Sequence, residues 1–176
     1  MSEQENNSAD GNDENKLIAQ RREKLSELRQ QGQAFPNSFK RLHDASNLVA
    51  EFADKSKDEL EKISMQVVLA GRIIRMRGPF VVIQDGSDQI QLYLNNKSFP
   101  EDLAKKIKSL DLGDIIGVHG EVFKTNKDEL TVGVASFELV TKSLRPLPDK
   151  FKGLTDTEMR YRQRYVDLIV NQESRH

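Results

Sequence analysis

The chain has 176 residues, 36% of them hydrophobic and 31% charged, enough for one modest core with appendages. It has no cysteine, which excludes disulfides and thiolate metal sites, and His43, His119 and His176 lack the spacing of metal ligands. No apolar run approaches the ~20 residues that span a bilayer, and no signal-peptide pattern is present, so we expect a cytoplasmic protein without a membrane partner. The net charge is only −1, so any nucleic-acid site must be a local patch.

The N-terminal part of the chain divides into an acidic tail and a helical extension. Residues 1–15 carry five acids, no base and almost nothing apolar, which predicts a disordered tail. Residues 16–66 are predicted as an N-terminal helical extension, beginning with a helix at 16–31 that carries five bases against two acids. Such a helix is either a solvated basic face or a contact for nucleic-acid phosphates. The candidate phosphate contacts are Arg21, Arg22, Lys24 and Arg29.

A β-rich body follows at residues 67–143. Its predicted elements are a strand at 67–77, a hairpin around the turn formers at 85–88, a helix at 100–110, and strands at 115–124 and 130–141. Five strands with one helix between the third and the fourth is the order of an OB-fold, a partly open barrel that binds oligonucleotides. The predicted class is therefore mainly β with flanking helices (α+β).

The hairpin places an aromatic ring and an amide on the exposed side of the predicted sheet. Side chains alternate faces along a strand, so Ile90, Leu92 and Leu94 face the core while Gln91 and Tyr93 face solvent. Phe80 lies on the corresponding face of the preceding strand. A ring to stack on and an amide to read an edge suit a nucleobase. The alternative is that Phe80 is a core-rim residue and Gln91 is merely solvated.

Charged side chains can join this face if the first strand bends. A one-residue bulge at Gly71 would turn Arg75 and Arg77 outward beside Phe80. In the last strand the inward set begins at Leu130, which puts Glu129 on the outer face. A ring, an amide, a guanidinium and a carboxylate can thus share one surface, although an ordinary charged sheet face has the same composition.

Residues 144–176 are predicted as a linker followed by a helix at 159–170. Arg145-Pro146-Leu147-Pro148 is stiff and extended, and the helix has no apolar partner within a small barrel. Three groups of residues resemble the N-terminal region of bacterial lysyl-tRNA synthetases, which are class II aminoacyl-tRNA synthetases. They are Arg21-Arg22-Glu23-Lys24-Leu25 with Phe35-Pro36-Asn37, the barrel segments Gly71-Arg72-Ile73, Ile83-Gln84-Asp85 and Ile90-Gln91-Leu92-Tyr93, and Leu144–Lys150 with Arg160-Tyr161-Arg162 and Arg164-Tyr165-Val166-Asp167.

The resemblance implies that the barrel binds the anticodon of tRNA(Lys). By position, Phe80 would stack on the middle uridine, Gln91 would read its edge, and Glu129 would lie beside the anticodon bases. An arginine near the end of the first strand would assist, and both Arg75 and Arg77 match it.

The resemblance further implies a full-length homodimeric enzyme that joins lysine to tRNA using ATP and Mg²⁺. The adenylate-forming motifs of that enzyme are missing from these 176 residues, so we expect them to be inactive and to need no cofactor on their own. The alternative function is a free-standing OB-fold module that binds single-stranded nucleic acid.

Overall fold

The computed structural model describes residues 3–32, 34–95, 99–147, 157–171 and 174, and its helices flank a five-stranded barrel. The α+β class predicted from the sequence is confirmed. In chain order the elements are α1 (Glu3–Gln31), α2 (Ala45–Phe52), α3 (Lys57–Ile63), β1 (Gln66–Arg77), β2 (Phe80–Gln84), β3 (Gln89–Tyr93), α4 (Glu101–Ser109), β4 (Ile115–Lys124), β5 (Leu130–Thr141), α5 (Thr157–Arg162) and α6 (Arg164–Val170). No helix in the described ranges is long and apolar enough to cross a membrane.

The barrel closes in the strand order β1-β2-β3-β5-β4. Neighbouring strands are antiparallel except β3 and β5, whose parallel pairing completes the closure. The five strands and the helix between β3 and β4 match the predicted order, and closure removes exposed strand edges. Alternate side chains of every strand meet inside to form the core, which includes Val67, Leu69, Ile73, Val81, Ile83, Ile90, Leu92, Ile116, Val118, Val122 and Val132.

The bulge in β1 lies further along the strand than predicted. Pairing between β1 and β4 runs without interruption through Gly71, and the register instead shifts between Ile73 and Arg75 opposite β2. Gly71 serves a close approach, since an added Cβ would lie 2.9 Å from the main-chain oxygen of Gln84. Because the bulge follows Ile73, that side chain stays fully buried while Arg75 and Arg77 face outward.

The first helix is longer than predicted. It begins at Glu3, whereas the helix predicted from the sequence begins at Lys16. Leu25 is buried against the rest of the protein, and extending a helix from a packed turn costs little compared with nucleating one. The helix ends before Gly32, whose φ is +144°.

The helix at 159–170 is also corrected, because two short helices replace it. α5 ends before Gln163, whose φ of −118° and ψ of 51° break the helical path, and α6 follows. The buried carboxylate of Asp167 holds the pair together by accepting hydrogen bonds from Arg160 Nε (3.1 Å) and Arg164 Nη1 (2.9 Å). The parts of the linker prediction that fall on residues 148–156 lie outside the described residues.

A buried ionic cluster fixes α1 to the barrel. Lys142 Nζ, with its side chain 1% exposed, donates to Asp111 Oδ2, to Asp114 Oδ2 (2.7 Å) and to the Ser109 carbonyl (3.2 Å). Lys24 of α1 joins the cluster at 2.9 Å from each oxygen of Asp111. We call Lys24, Asp111, Asp114 and Lys142 the anchor cluster; Lys24 is its contact with α1.

Candidate nucleic-acid interface

The outward side chains of the barrel strands form two adjacent rows. Residues directly opposite one another on neighbouring strands point to the same side of a sheet. The first row contains Arg75, Val82, Gln91 and Thr131, and the second contains Arg77, Phe80, Tyr93 and Gly133. Glu129 lies two positions before Thr131 and projects to the same side. We call these two rows with Glu129 the outer face; it contains all five residues that the sequence analysis selected for base binding.

An aromatic strip crosses the outer face. The half-exposed Phe80 ring lies 5.2 Å from the Tyr93 ring at 45°, and Tyr93 lies 6.3 Å from Phe123 at 76°. Gly133 lies beside this strip, and a Cβ there would be in ordinary van der Waals contact with the Phe123 ring, at 3.4 Å. Alternation along β3 predicts Tyr93 on this side, whereas the place of Phe123 depends on the pairing of β4 with β5 and is not visible in the sequence.

The Gln91 amide belongs to a hydrogen-bonded group that the sequence did not reveal. Gln91 Nε2 donates to Thr131 Oγ1 at 3.0 Å and to Glu129 Oε2 at 3.3 Å. Thr131 is fully buried, and its hydroxyl donates in turn to the Glu129 carbonyl at 3.1 Å. Gln91 therefore presents an amide whose nitrogen is already engaged within the protein. The parallel β3–β5 pairing, which brings Thr131 opposite Gln91, creates this contact.

The charge of the outer face comes from two arginines and one carboxylate. Arg75 and Arg77 are exposed and make no hydrogen bond or ion pair with the residues that the structure describes. Arg72, by contrast, donates from Nη1 to the Gly113 carbonyl at 2.9 Å, and burial lowers the pKa of its guanidinium. Only Arg75 and Arg77 of β1 are therefore available to an anionic ligand. No grouping of three or more acidic or histidine side chains suited to a metal ion occurs in the described residues.

The turn between β2 and β3 is held by the Asp85 carboxylate. Its Oδ1 accepts from the Ser87 hydroxyl (2.6 Å) and from the backbone N–H groups of Ser87 (2.7 Å) and Asp88 (2.9 Å), while Oδ2 accepts from the Ala45 N–H (2.9 Å). Burial alone would raise the pKa of Asp85, but these hydrogen bonds hold it below its ordinary value. The turn thereby fixes the register that places Phe80 beside Tyr93.

The four candidate phosphate contacts of α1 separate into two pairs. Arg22 and Arg29 are exposed and have no partner among the described residues. Arg21 and Lys24, by contrast, have partners within the protein. Arg21 is 7% exposed and donates to the main-chain carbonyls of Ser143 (3.2 Å) and Arg145 (3.0 Å), and Lys24 belongs to the anchor cluster.

Comparison with known proteins first gives the class of this barrel. Residues 67–147 match the family model of tRNA anticodon type, described as an OB-fold nucleic acid binding domain. This part of the chain is similar to the domains of that family, and the OB-fold predicted from the sequence is confirmed.

The wider chain matches a particular group of enzymes. It is 54% identical to the lysine–tRNA ligase of Hahella chejuensis over 93% of its length, 55% identical to that of Chromohalobacter salexigens over 97%, and 54% identical to that of Pseudomonas aeruginosa over 93%. The alignments cover 32%, 35% and 33% of those proteins, so the chain spans about a third of the curated relatives it matches. It is homologous to the N-terminal, anticodon-binding region of lysine–tRNA ligases.

Proposed function

We propose that this chain binds the anticodon loop of tRNA(Lys) and that its outer face holds the middle base, a uridine. The observation that carries the proposal is the arrangement of a half-exposed ring, an amide and two exposed guanidinium groups on one face of an anticodon-type OB-fold domain. The ring of Phe80 supplies stacking, and the amide of Gln91 supplies an edge that can be read by hydrogen bonding.

The two rows suggest where the base lies. Val82 stands between Arg75 and Gln91, so a base over Val82 has a guanidinium at one edge and an amide at the other. Neighbouring strands lie ~4.8 Å apart, so these flanking positions are ~10 Å apart, enough for a pyrimidine hydrogen-bonded on both sides. We assign Arg75 to the base edge and Arg77, which shares a row with Phe80, to the adjoining phosphate.

Backbone phosphates are assigned to α1. Arg22 and Arg29 lie seven positions apart, hence on one side of the helix, and both are exposed. Contacts of this kind fix the register of the RNA without reading its sequence. Glu129, which accepts from Gln91, is assigned beside the anticodon base through that contact.

The proposal for the whole protein is an ATP-dependent lysine–tRNA ligase. Its support is the identity of 54–55% to such enzymes across 93–97% of this chain. In that protein, ATP and Mg²⁺ would act outside these 176 residues. A homodimer and a cytoplasmic location belong to the same proposal.

The test is a titration of the chain with two anticodon stem-loops that differ only in uridine or cytosine at the middle position. Phe80→Ala should weaken both loops by a similar factor, since stacking of about 1–3 kcal/mol per base ignores base identity. Gln91→Ala should weaken mainly the uridine loop, also by about 1–3 kcal/mol, the usual cost of losing a base contact.

Gln89→Ala is the matched control, because Gln89 lies on the same strand and the same face two positions away and pairs with Gln84. It should leave the preference for uridine unchanged. An unaltered uridine-to-cytosine affinity ratio in Gln91→Ala would show that β3 does not read the base. Absence of binding by either loop to the unmodified chain would refute the proposal as a whole.

A further inference from the structure

The hydrogen bonds around Gln91 run in one direction, and this direction determines which end of the amide is free. We propose that Thr131, assisted by Glu129, is a positioning residue that locks the Gln91 amide with its carbonyl oxygen toward the RNA. The outer face then selects a base that presents an N–H donor. This inference rests on the proposed function, and it adds a buried residue that touches no RNA.

The orientation of the amide follows from its two partners. The Glu129 carboxylate only accepts hydrogen bonds, so the group facing it must be the NH₂ of Gln91. The Thr131 hydroxyl gives its single hydrogen to the Glu129 carbonyl at 3.1 Å, which leaves only lone pairs toward Gln91. Both partners therefore present acceptors to the amide, and both N–H bonds of Nε2 are used. Reversal of the amide would set its oxygen against two acceptors.

Burial makes Thr131 the stronger of the two constraints. Its side chain is fully buried, so water cannot replace the hydroxyl if the contact is lost. Glu129 is exposed, and its contact with the amide is the longer one at 3.3 Å. Without the Thr131 hydroxyl, only the solvent-exposed carboxylate of Glu129 would hold the Gln91 amide. The amide could then rotate.

The locked amide distinguishes uridine from cytosine. Uridine has N3–H between two carbonyl acceptors, so it can donate to the Gln91 oxygen while Arg75 donates to a flanking carbonyl. Cytosine has an acceptor at N3 and an amino donor at position 4. The Gln91 oxygen would then face an acceptor, and a guanidinium, which only donates, would face the amino group. A rotating amide could present its NH₂ to cytosine N3, which would remove half of this discrimination.

The decisive variants are Thr131→Val, which replaces the hydroxyl by a methyl group of similar size, and Thr131→Ser, which keeps the hydroxyl. Their affinities for the uridine and cytosine stem-loops are measured beside those of the unmodified chain and Gln91→Ala. We expect Thr131→Val to lower the uridine-to-cytosine affinity ratio by about tenfold, the effect of one hydrogen bond. Thr131→Ser should keep the ratio within about twofold.

The side-chain amide protons of Gln91 supply a second readout that needs no variant. In the unmodified chain without RNA, their NMR signals should exchange with water more slowly than those of Gln89, because both are hydrogen-bonded within the protein. The same protection should be lost in Thr131→Val and kept in Thr131→Ser. Equal exchange of the Gln91 and Gln89 side-chain protons in the unmodified chain would overturn the lock, even if Thr131→Val did not fold.

The outcomes separate the lock from the proposed function. If the uridine-to-cytosine affinity ratio fell in Gln91→Ala but stayed unchanged in Thr131→Val, that result would refute the positioning role of Thr131 and would leave base reading by Gln91 intact. A ratio that is unchanged in Gln91→Ala would refute the base reading on which the lock depends. A loss of the ratio in both Thr131→Val and Thr131→Ser would assign the effect to packing and also overturn the role of the hydroxyl.

Discussion

Replacing Lys142 by methionine tests how strongly the anchor cluster stabilises the fold. Lys142 uses all three of its donors, on Asp111, Asp114 and the Ser109 carbonyl, and both its side chain and that of Asp114 are excluded from solvent. Methionine keeps most of the length and apolar contact of the lysine stem but removes the charge. The variant therefore leaves a buried carboxylate without its cation.

The size of the effect follows from what remains around Asp114. Breaking a buried ion pair from one side costs about 3–5 kcal/mol. Asp114 keeps two backbone donors, the N–H groups of Asp111 and Ser143, each at 2.8 Å, so we expect the lower end, about 3 kcal/mol. That is a large fraction of the ~5–15 kcal/mol by which domains of this size are stable.

Urea unfolding followed by circular dichroism measures this change as a shift in midpoint at constant m-value. Lys24→Met is the matched control: its side chain is 33% exposed, so losing its ion pair with Asp111 should cost only about 0.2–1 kcal/mol. A loss of less than about 1 kcal/mol in unfolding free energy for Lys142→Met would refute the inference that Lys142 and Asp114 form a buried ion pair in which each charge needs the other.

Three further predictions concern phosphate binding, the barrel backbone and acid stability. Replacing Arg22 and Arg29 together by alanine should weaken both stem-loops equally and flatten the slope of log affinity against log salt by about 0.7–0.9 for each lost contact; an altered base preference would contradict this role. Gly120→Ala should destabilise the barrel, because its Cβ would collide with a main-chain carbonyl of β5, whereas Gly86→Ala, with open space around it, should be nearly neutral in the same urea assay. Burial favours the neutral form of Asp111, but hydrogen bonds from the two lysines of the anchor cluster outweigh it and lower its pKa. The ionised Asp111 therefore contributes its full stabilisation above its unfolded pKa of ~3.9, and this contribution is lost as the pH falls through the lower pKa of the folded state. In Asp111→Asn the free energy of unfolding should consequently fall less steeply as the pH is lowered.

Local patterns were sufficient to predict most of the fold. The bounds of β4 and β5 agree with the predicted ones, 115–124 and 130–141. Alternation and turn chemistry act over a few residues, so they are visible in a sequence. The bulge in β1 was misplaced because a glycine suggests either a bend or a close approach, and only the position of Gln84 shows that Gly71 serves the second.

The candidate site was predicted only as far as single strands allow. Phe80, Gln91 and Glu129 follow from alternation and family resemblance, and the structure places them on one face. Thr131 did not follow, because its contact with Gln91 depends on the parallel pairing of β3 with β5 across 40 residues of sequence. A residue that only positions another side chain, as proposed for Thr131, produces no periodic pattern in the sequence.

The basic residues of α1 show why charge alone could not identify phosphate contacts. Arg21 and Lys24 lie three positions apart on the side of the helix that meets the barrel, and both donate hydrogen bonds to groups of the protein. Position 22 is rotated by about 100° from position 21, so fixing Arg21 inside turns Arg22 outward, and Arg29 follows seven residues later on the same side. The contacts that hold Arg21 and Lys24 against the protein thus leave Arg22 and Arg29 exposed. On the proposed function, phosphate binding would use residues other than those that hold the helix against the barrel. Variants of Arg21 or Lys24 should therefore lower the unfolding free energy, while variants of Arg22 or Arg29 should alter only the affinity for RNA.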